Sequence, residues 1–293
     1  MKILYISSFE LPDFQADMAF HGFRSLFGAD CVDYNHAWIM YDEDKKQYWN
    51  QRVPENGKSY GGGFTLYGTL PTLEIDRSDI QRKISTRYFD KVVYGSVHRH
   101  LALLPFVMEH YDRKDIIFLD GEDQTHLNMN LFGRGLYFKR ELVDAPQKGL
   151  YPLNFAVPES LIKQSVPEKT QDWGTIIPGD KSTYLFDNQE DYYADYARSF
   201  FALTTKKGGW DCLRHYEILM NGAIPFFPNL QNCPVNTMAK FPKEIILNTN
   251  KFIEEQQFMI DQYYETVNQL LQYTREHLTT TSLAKYILEA YRE

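Results

Sequence analysis

The stretch that most constrains the fold is Phe200 to Phe227, FFALTTKKGGWDCLRHYEILMNGAIPFF. Two short apolar runs, Phe200 to Thr204 and Ala223 to Phe227, bracket a glycine-bearing turn (Lys206 to Gly209) and a segment of helical length (about Cys212 to Asn221) stopped by Gly222. This order predicts strand, turn, helix, strand, and short continuous apolar runs are the pattern of strands buried on both faces of a parallel sheet. Between the strands lie Lys206, Lys207, Asp211, Arg214, His215 and Glu217. Charge placed there is costly unless a ligand meets it. A βαβ unit whose first turn exposes backbone N–H groups at a helix N-terminus is a ready anion site, here at Gly208 and Gly209.

The same alternation runs through the chain. Strands are expected at Lys2 to Ser7, Cys31 to Tyr34, Lys91 to Tyr94, Asp115 to Asp120 (DIIFLD) and Leu136 to Lys139, with Tyr151 to Val157 as an extended exit. Helices are expected at about Phe14 to Phe27, Asp79 to Thr86 and Val97 to His110. Residues 42 to 72 read as a long polar loop, with a hairpin around Tyr60 to Leu66; the run Gly61 to Gly63 lacks the GK[ST] or GxGxxG surroundings of a phosphate loop. A second α/β unit starts at Trp173 to Ile177, continues with a helix at Glu190 to Arg198, and reaches the opening stretch. Beyond it come a short helix near Val235 to Met238, a strand at Glu244 to Leu247, and helices over Lys251 to His277 and Thr281 to Tyr291, the last with N-cap candidates in Thr279 to Thr281. The expected fold class is therefore α/β, with two Rossmann-like doubly wound domains facing a cleft. The domains are residues 1–157 and 158–278, with a C-terminal helix over 279–293 that packs back on the first.

Composition removes several function classes. The net charge of −8, without a Lys/Arg run, argues against nucleic acid and against an anionic membrane surface, but leaves a small anionic ligand open. Three cysteines with no CxxC spacing make neither a disulfide framework nor a zinc site, and reduced thiols fit a cytoplasmic compartment. The N-terminus reads as a first strand rather than a signal peptide, and no apolar run reaches the length of a membrane span. Aromatic content of 15% suits sugar or base stacking, but reads first as an aromatic-rich core.

Arg214-x-x-Glu217-x-Leu219-x-x-Gly222-x-x-Pro225 resembles the donor-binding segment of GT-B type glycosyltransferases, in particular the exostosin-like pattern S-x-R-x-x-E-A-x-x-x-G-x-I-P. The resemblance covers about thirty residues and is architectural elsewhere. It implies a transferase that moves a sugar from a nucleotide-diphosphate sugar to a hydroxyl acceptor, in glycan or surface polysaccharide synthesis. The nucleotide sugar is then a co-substrate, and no separate cofactor is implied. It assigns Glu217 to the ribose hydroxyls, a carboxylate being the natural acceptor for a vicinal diol. The diphosphate falls to Arg214, Lys206, Lys207 and the amides of Gly208 and Gly209, a fixed electrostatic stabilisation. The family's upstream motif Glu falls at Trp210, with Asp211 beside it, so Asp211 either contacts a sugar hydroxyl or N-caps the helix. There is no DxD motif, and a metal is not expected.

Inverting members of that class place a general base on the first domain. The candidates are Asp13, Asp17 and His21 beside the first strand, with Asp17 preferred and His21 next, and the acids Asp120 and Glu122 after DIIFLD. A retaining enzyme needs no such base, and stereochemistry stays open. Plainer readings stand beside these. Arg214 and Glu217 could form a surface ion pair, His215 and Tyr216 read as packing residues, and Lys139 and Arg140 either line the cleft or blunt an edge strand. The alternatives in function are a non-catalytic nucleotide- or sugar-binding module and another Rossmann-type enzyme; the latter lacks its glycine fingerprint in the first βα turn, Ser7 to Pro12.

Overall fold

The computed structural model describes residues 1–9, 12–42, 65–255 and 259–290. The hairpin expected around Tyr60 to Leu66, the run Gly61 to Gly63, and Glu10, Leu11 and Tyr291 lie wholly or partly outside them.

Six strands, β1 (Ile3–Ile6), β2 (Cys31–Tyr34), β3 (Lys91–Tyr94), β4 (Ile116–Asp120), β5 (Leu136–Lys139) and β6 (Leu150–Pro152), form one parallel sheet in the order β2-β1-β3-β4-β5-β6. The order reverses at β1, so this sheet is doubly wound and opens a crevice beyond the carboxyl ends of β1 and β3. Its two faces are buried by different groups because side chains alternate along a strand. Leu4 and Ile6 join Val92, Tyr94 and Phe118 on one face, and Ile3 and Tyr5 join Phe20 and Phe23 of α1 (Phe14–Phe27) on the other. Helices α2 (Ile80–Ser85) and α3 (Leu104–His110) complete the first half among the described residues. The helix expected from Val97 starts only at Leu104, because Leu103 takes φ 61, off the helical path, and Pro105 occupies the first turn.

A second parallel sheet has three strands in the order β7-β8-β9: β7 (Gln171–Trp173), β8 (Ser199–Leu203) and β9 (Ile224–Phe226). This corrects the expectation of a second doubly wound unit. The strand expected at Glu244 to Leu247 is the start of a helix, Lys243–Glu254, whose buried residues Ile246, Thr249 and Asn250 recur at helical spacing. A four-residue apolar run does not distinguish the two by itself. The segment near Val235 to Met238 is a turn, not a helix. In chain order the helices of this half are α4 (Gln189–Arg198), α5 (Leu213–Met220), α6 (Lys243–Glu254), α7 (Ile260–His277) and α8 (Thr280–Glu289), the last N-capped by Thr279.

The two sheets share one apolar cluster, which runs from Ile3 and Phe20 through Phe155 and Ala156 to Tyr216, Ile218 and Ile287. Helix α8 lies against α1, where His21 Nδ1 is 2.8 Å from the Thr280 hydroxyl, and Val157 pairs with Thr279. Strand β5 lies inside its sheet between β4 and β6, so Lys139 and Arg140 do not guard an edge. Among the described residues no helix is long and apolar enough to cross a membrane.

Candidate functional site

The stretch from β8 to β9 folds as a parallel β-turn-α-β unit, with Gly222 at φ 74 ending the helical turn where other residues are strained. Its first turn, however, already meets an anion of the protein's own. The amides of Trp210 and Asp211 each donate to the Glu141 carboxylate at 3.0 Å. Arg140 holds that carboxylate at 3.0 Å, donates to the Asp211 carbonyl at 2.5 Å and to the Gly121 carbonyl at 2.9 Å, and pairs with Asp123. A Cβ at Gly208 would meet the Asp123 carboxylate, and one at Gly209 the Glu141 carboxylate, so a larger residue at either position would have to displace these side chains.

Asp211 does not cap α5. The N-cap position is Cys212, which makes no side-chain cap bond, while the Asp211 carboxylate accepts from the Phe155 amide and the Tyr216 hydroxyl, both at 2.8 Å. Burial, opposed by Arg140, pushes its pKa up to about 6. His215 is fully buried between the Thr204 hydroxyl (2.7 Å) and the Trp210 carbonyl (2.9 Å), and burial lowers its pKa to about 3; it is a packing residue.

Beside this turn a cavity of about 170 Å³ is walled by Phe14, Asp123 and Phe155 from one side and by Lys207, Arg214 and Glu217 from the other. Lys207 also lines an adjoining open cavity of about 440 Å³ with Gly179, Lys181, Tyr184 and Lys206. Arg214 is 7% exposed; its Nη2 donates to the Tyr184 hydroxyl at 3.1 Å, and Nε and Nη1 have no partner among the described residues. Glu217, one turn further along α5, is 2% exposed and accepts from Thr65 and Tyr192 hydroxyls, both at 2.5 Å. Burial raises its pKa. A carboxylate offers about four lone-pair sites, so each oxygen retains acceptor capacity. Arg214 and Glu217 are both buried, which removes the surface ion-pair reading. Lys206 and Lys207 are exposed, with the Lys206 ammonium 5.0 Å from the Trp210 ring centre.

On the first sheet, Asp13 caps α1 and accepts from the Ser96 hydroxyl at 2.7 Å. Asp17 is 1% exposed, accepts from the Asp13 amide (2.9 Å) and the Tyr67 hydroxyl (2.7 Å), and leaves Oδ1 without a partner among the described residues. Burial first, then the nearby Asp13 charge, pushes its pKa up to about 8. His21 is held between α1 and α8, where burial lowers its pKa to about 4. Neither lines the cavity described above. Between about pH 4 and pH 8 the folded chain thus keeps a proton on Asp17 that the unfolded chain has released. Raising the pH therefore favours unfolding, by several kcal/mol across this window. Asp17→Asn should flatten this fall in melting temperature; an unchanged Tm–pH profile would show that Asp17 is ionised in the folded chain.

Asp120 is completely buried and saturated. It accepts from Lys139 Nζ (2.8 Å), the Tyr137 hydroxyl (2.5 Å), His98 Nε2 (3.2 Å) and the Glu122 amide (3.2 Å). Burial opposes ionisation, but Lys139, Tyr137 and His98 outweigh it and hold the carboxyl below its usual range. Glu122 lies 3.7 Å from Arg99. His98 was not a sequence candidate; the available signal was its position just past β3, after Gly95-Ser96 at the crevice of the sheet.

Among the described residues no group of three or more His, Cys, Asp or Glu side chains is arranged to hold a metal ion. Fold and site together define an α/β protein with a buried, incompletely partnered arginine facing a cleft between two parallel sheets. No protein-family model and no curated protein matches the chain. Among solved structures it is similar to an alpha-glucosyltransferase, solved in complex with UDP and a 13-mer DNA containing a HMU base, with a TM-score of 0.47 and 9% identity over 100% of both chains.

Proposed function

We propose that the chain is a glycosyltransferase that takes a nucleotide-diphosphate sugar as donor and a hydroxyl compound as acceptor. The observation that carries this reading is the Arg214 guanidinium, buried at the head of α5 with Nε and Nη1 unpartnered beside the cavity that Lys207 and Glu217 also line. Buried charged donors are ordinarily satisfied, and a planar guanidinium with free N–H groups matches phosphate oxygens. In this reading Arg214 and Lys207 receive the diphosphate, with Lys206 at its edge, and the leaving-group charge is met by these cations without a divalent ion. Glu217 accepts from the ribose hydroxyls. Gly208, Gly209 and Asp211 shape the turn against Asp123, Glu141 and Phe155 rather than contacting the donor. Residues 1–157 supply the acceptor side and 158–278 the donor side. Free thiols at Cys31, Cys212 and Cys233 support a reducing, cytoplasmic setting.

A thermal-shift panel of uridine, guanosine, cytidine and thymidine diphosphates tests the reading. At least one should raise the melting temperature, and Glu217→Ala should weaken that response by about tenfold or more in apparent affinity, the equivalent of one charge-assisted hydrogen bond. A panel without any response would sink the proposal.

A further inference from the structure

We propose that the sugar on the donor is an uncharged one, and that Asp123, reaching over from the first half of the chain, selects it against sugars that carry a carboxylate; this rests on the nucleotide-sugar reading above. The geometry starts from order along α5. Glu217 lies one turn further into the helix than Arg214, while Gly208 and Gly209 precede its N-terminal end. With the ribose at Glu217 and the diphosphate at Arg214 and Lys207, the next group along the donor falls beyond that end. What stands there is Asp123, whose carboxylate rests against Gly208 and Gly209, with Phe14 and Phe155 beside it on the same cavity. The buried guanidinium of Arg214 lines this cavity too, with Nε and Nη1 unpartnered among the described residues, so an anionic ligand is called for at one end and a different chemistry at the other.

The charges at that far end are acidic in sum. Asp123 and Glu141 share one cation, Arg140, and the buried Asp211 adds a third carboxyl group. Arg140 has little left for a ligand: Nε donates to the Gly121 carbonyl, Nη1 to Glu141 and to the Asp211 carbonyl, and Nη2 to Asp123. Asp123 is different, because its side chain is 52% exposed and only Oδ1 is taken up by Arg140 among the described residues. Oδ2 therefore keeps its acceptor capacity, and a carboxylate oxygen suits the O–H donors of a neutral sugar. The ring of Phe14, half-buried on the same wall, offers an apolar surface to the C–H face of such a sugar. A carboxylate on the sugar would instead be set beside Asp123 with Arg140 already engaged. Discrimination then comes from repulsion of the wrong ligand as much as from attraction of the right one.

Calorimetric titration of the intact chain decides this. Uridine, guanosine, cytidine and thymidine diphosphate glucose are compared with the glucuronates of the same four bases, which differ from them only in the carboxylate. With the base that responds, the glucose ester should bind at least about tenfold more tightly than the glucuronate, the effect of one like-charge contact at a partly exposed site. Asp123→Asn, which keeps an acceptor oxygen for Arg140, should close most of that gap and leave the free nucleoside diphosphate bound at least as well as before. Equal or tighter binding of the glucuronate by the wild type, or failure of both esters to bind where the free diphosphate does, overturns the inference while the diphosphate site stands; neither result depends on a variant that folds. A gap that persists unchanged in Asp123→Asn refutes the assignment to Asp123. A wild-type chain that responds to none of the four free nucleoside diphosphates removes the nucleotide-sugar reading, and this inference with it.

Discussion

Arg214→Met should abolish the nucleoside diphosphate response while leaving the free protein as stable as before, or more stable. The two effects have one cause. In the free protein the guanidinium is 7% exposed and, among the described residues, only Nη2 is hydrogen-bonded, to the Tyr184 hydroxyl, so its desolvation is only partly offset. Methionine keeps the apolar stem and deletes that cost. In the complex Nε and Nη1 would make charge-assisted bonds of about 1.5–3 kcal/mol each, and losing two should weaken binding by roughly 100-fold or more. Titration by calorimetry and a melting curve on the same sample read both. A variant that binds the nucleotide normally and melts several degrees lower would mean that Arg214 is a structural residue.

Glu141→Ala should have the opposite signature, a large loss of stability. It strips the acceptor from the Trp210 and Asp211 amides and leaves Arg140, which is 2% exposed, with Asp123 alone of its two paired carboxylates. Breaking a buried, hydrogen-bonded pair from one side costs about 3–5 kcal/mol. For a chain of this length that is a fall of roughly 10 °C in melting temperature, or the equivalent shift in urea midpoint. Glu141→Gln, which keeps an acceptor oxygen, should lose about half as much. The vacated amides should then respond to sulfate, which would restore Tm in Glu141→Ala more than it raises the wild type. A loss below about 1 kcal/mol would show that the turn holds its shape without the carboxylate.

Which of these features the sequence announces depends on how far apart the partners are. Helix α1 and strands β2, β3 and β5 lie at the bounds expected from their apolar patterns, since a run such as Lys91 to Tyr94 is buried on both faces wherever it sits. Arg214 and Glu217 were also visible, because both lie on one short helix between two apolar runs. The grip of Arg140 and Glu141 on the turn was not, for those contacts join residues 71 and 70 positions apart. Nor was the link of His98 to Asp120, which depends on β3 and β4 being neighbours in the sheet. The failure at Glu244 to Leu247 has a different origin: a short apolar run carries no period, and only burial of Thr249 and Asn250 beyond it reveals the helix. Thr65, which bonds Glu217 from 152 positions away, was hidden in a polar loop with no pattern to mark it.

The seating of α8 on α1 bears on how the chain is made. Helix α1 is synthesised long before α8, yet part of the surface it buries is supplied by Leu283, Ala284 and Ile287 of that later helix. Until α8 has been made, that side of α1 stays uncovered and the apolar cluster common to both sheets is incomplete. Folding of the first half is thereby tied to completion of the second, and a nascent chain halted near residue 250 would present an apolar helix face to chaperones rather than a finished half-molecule.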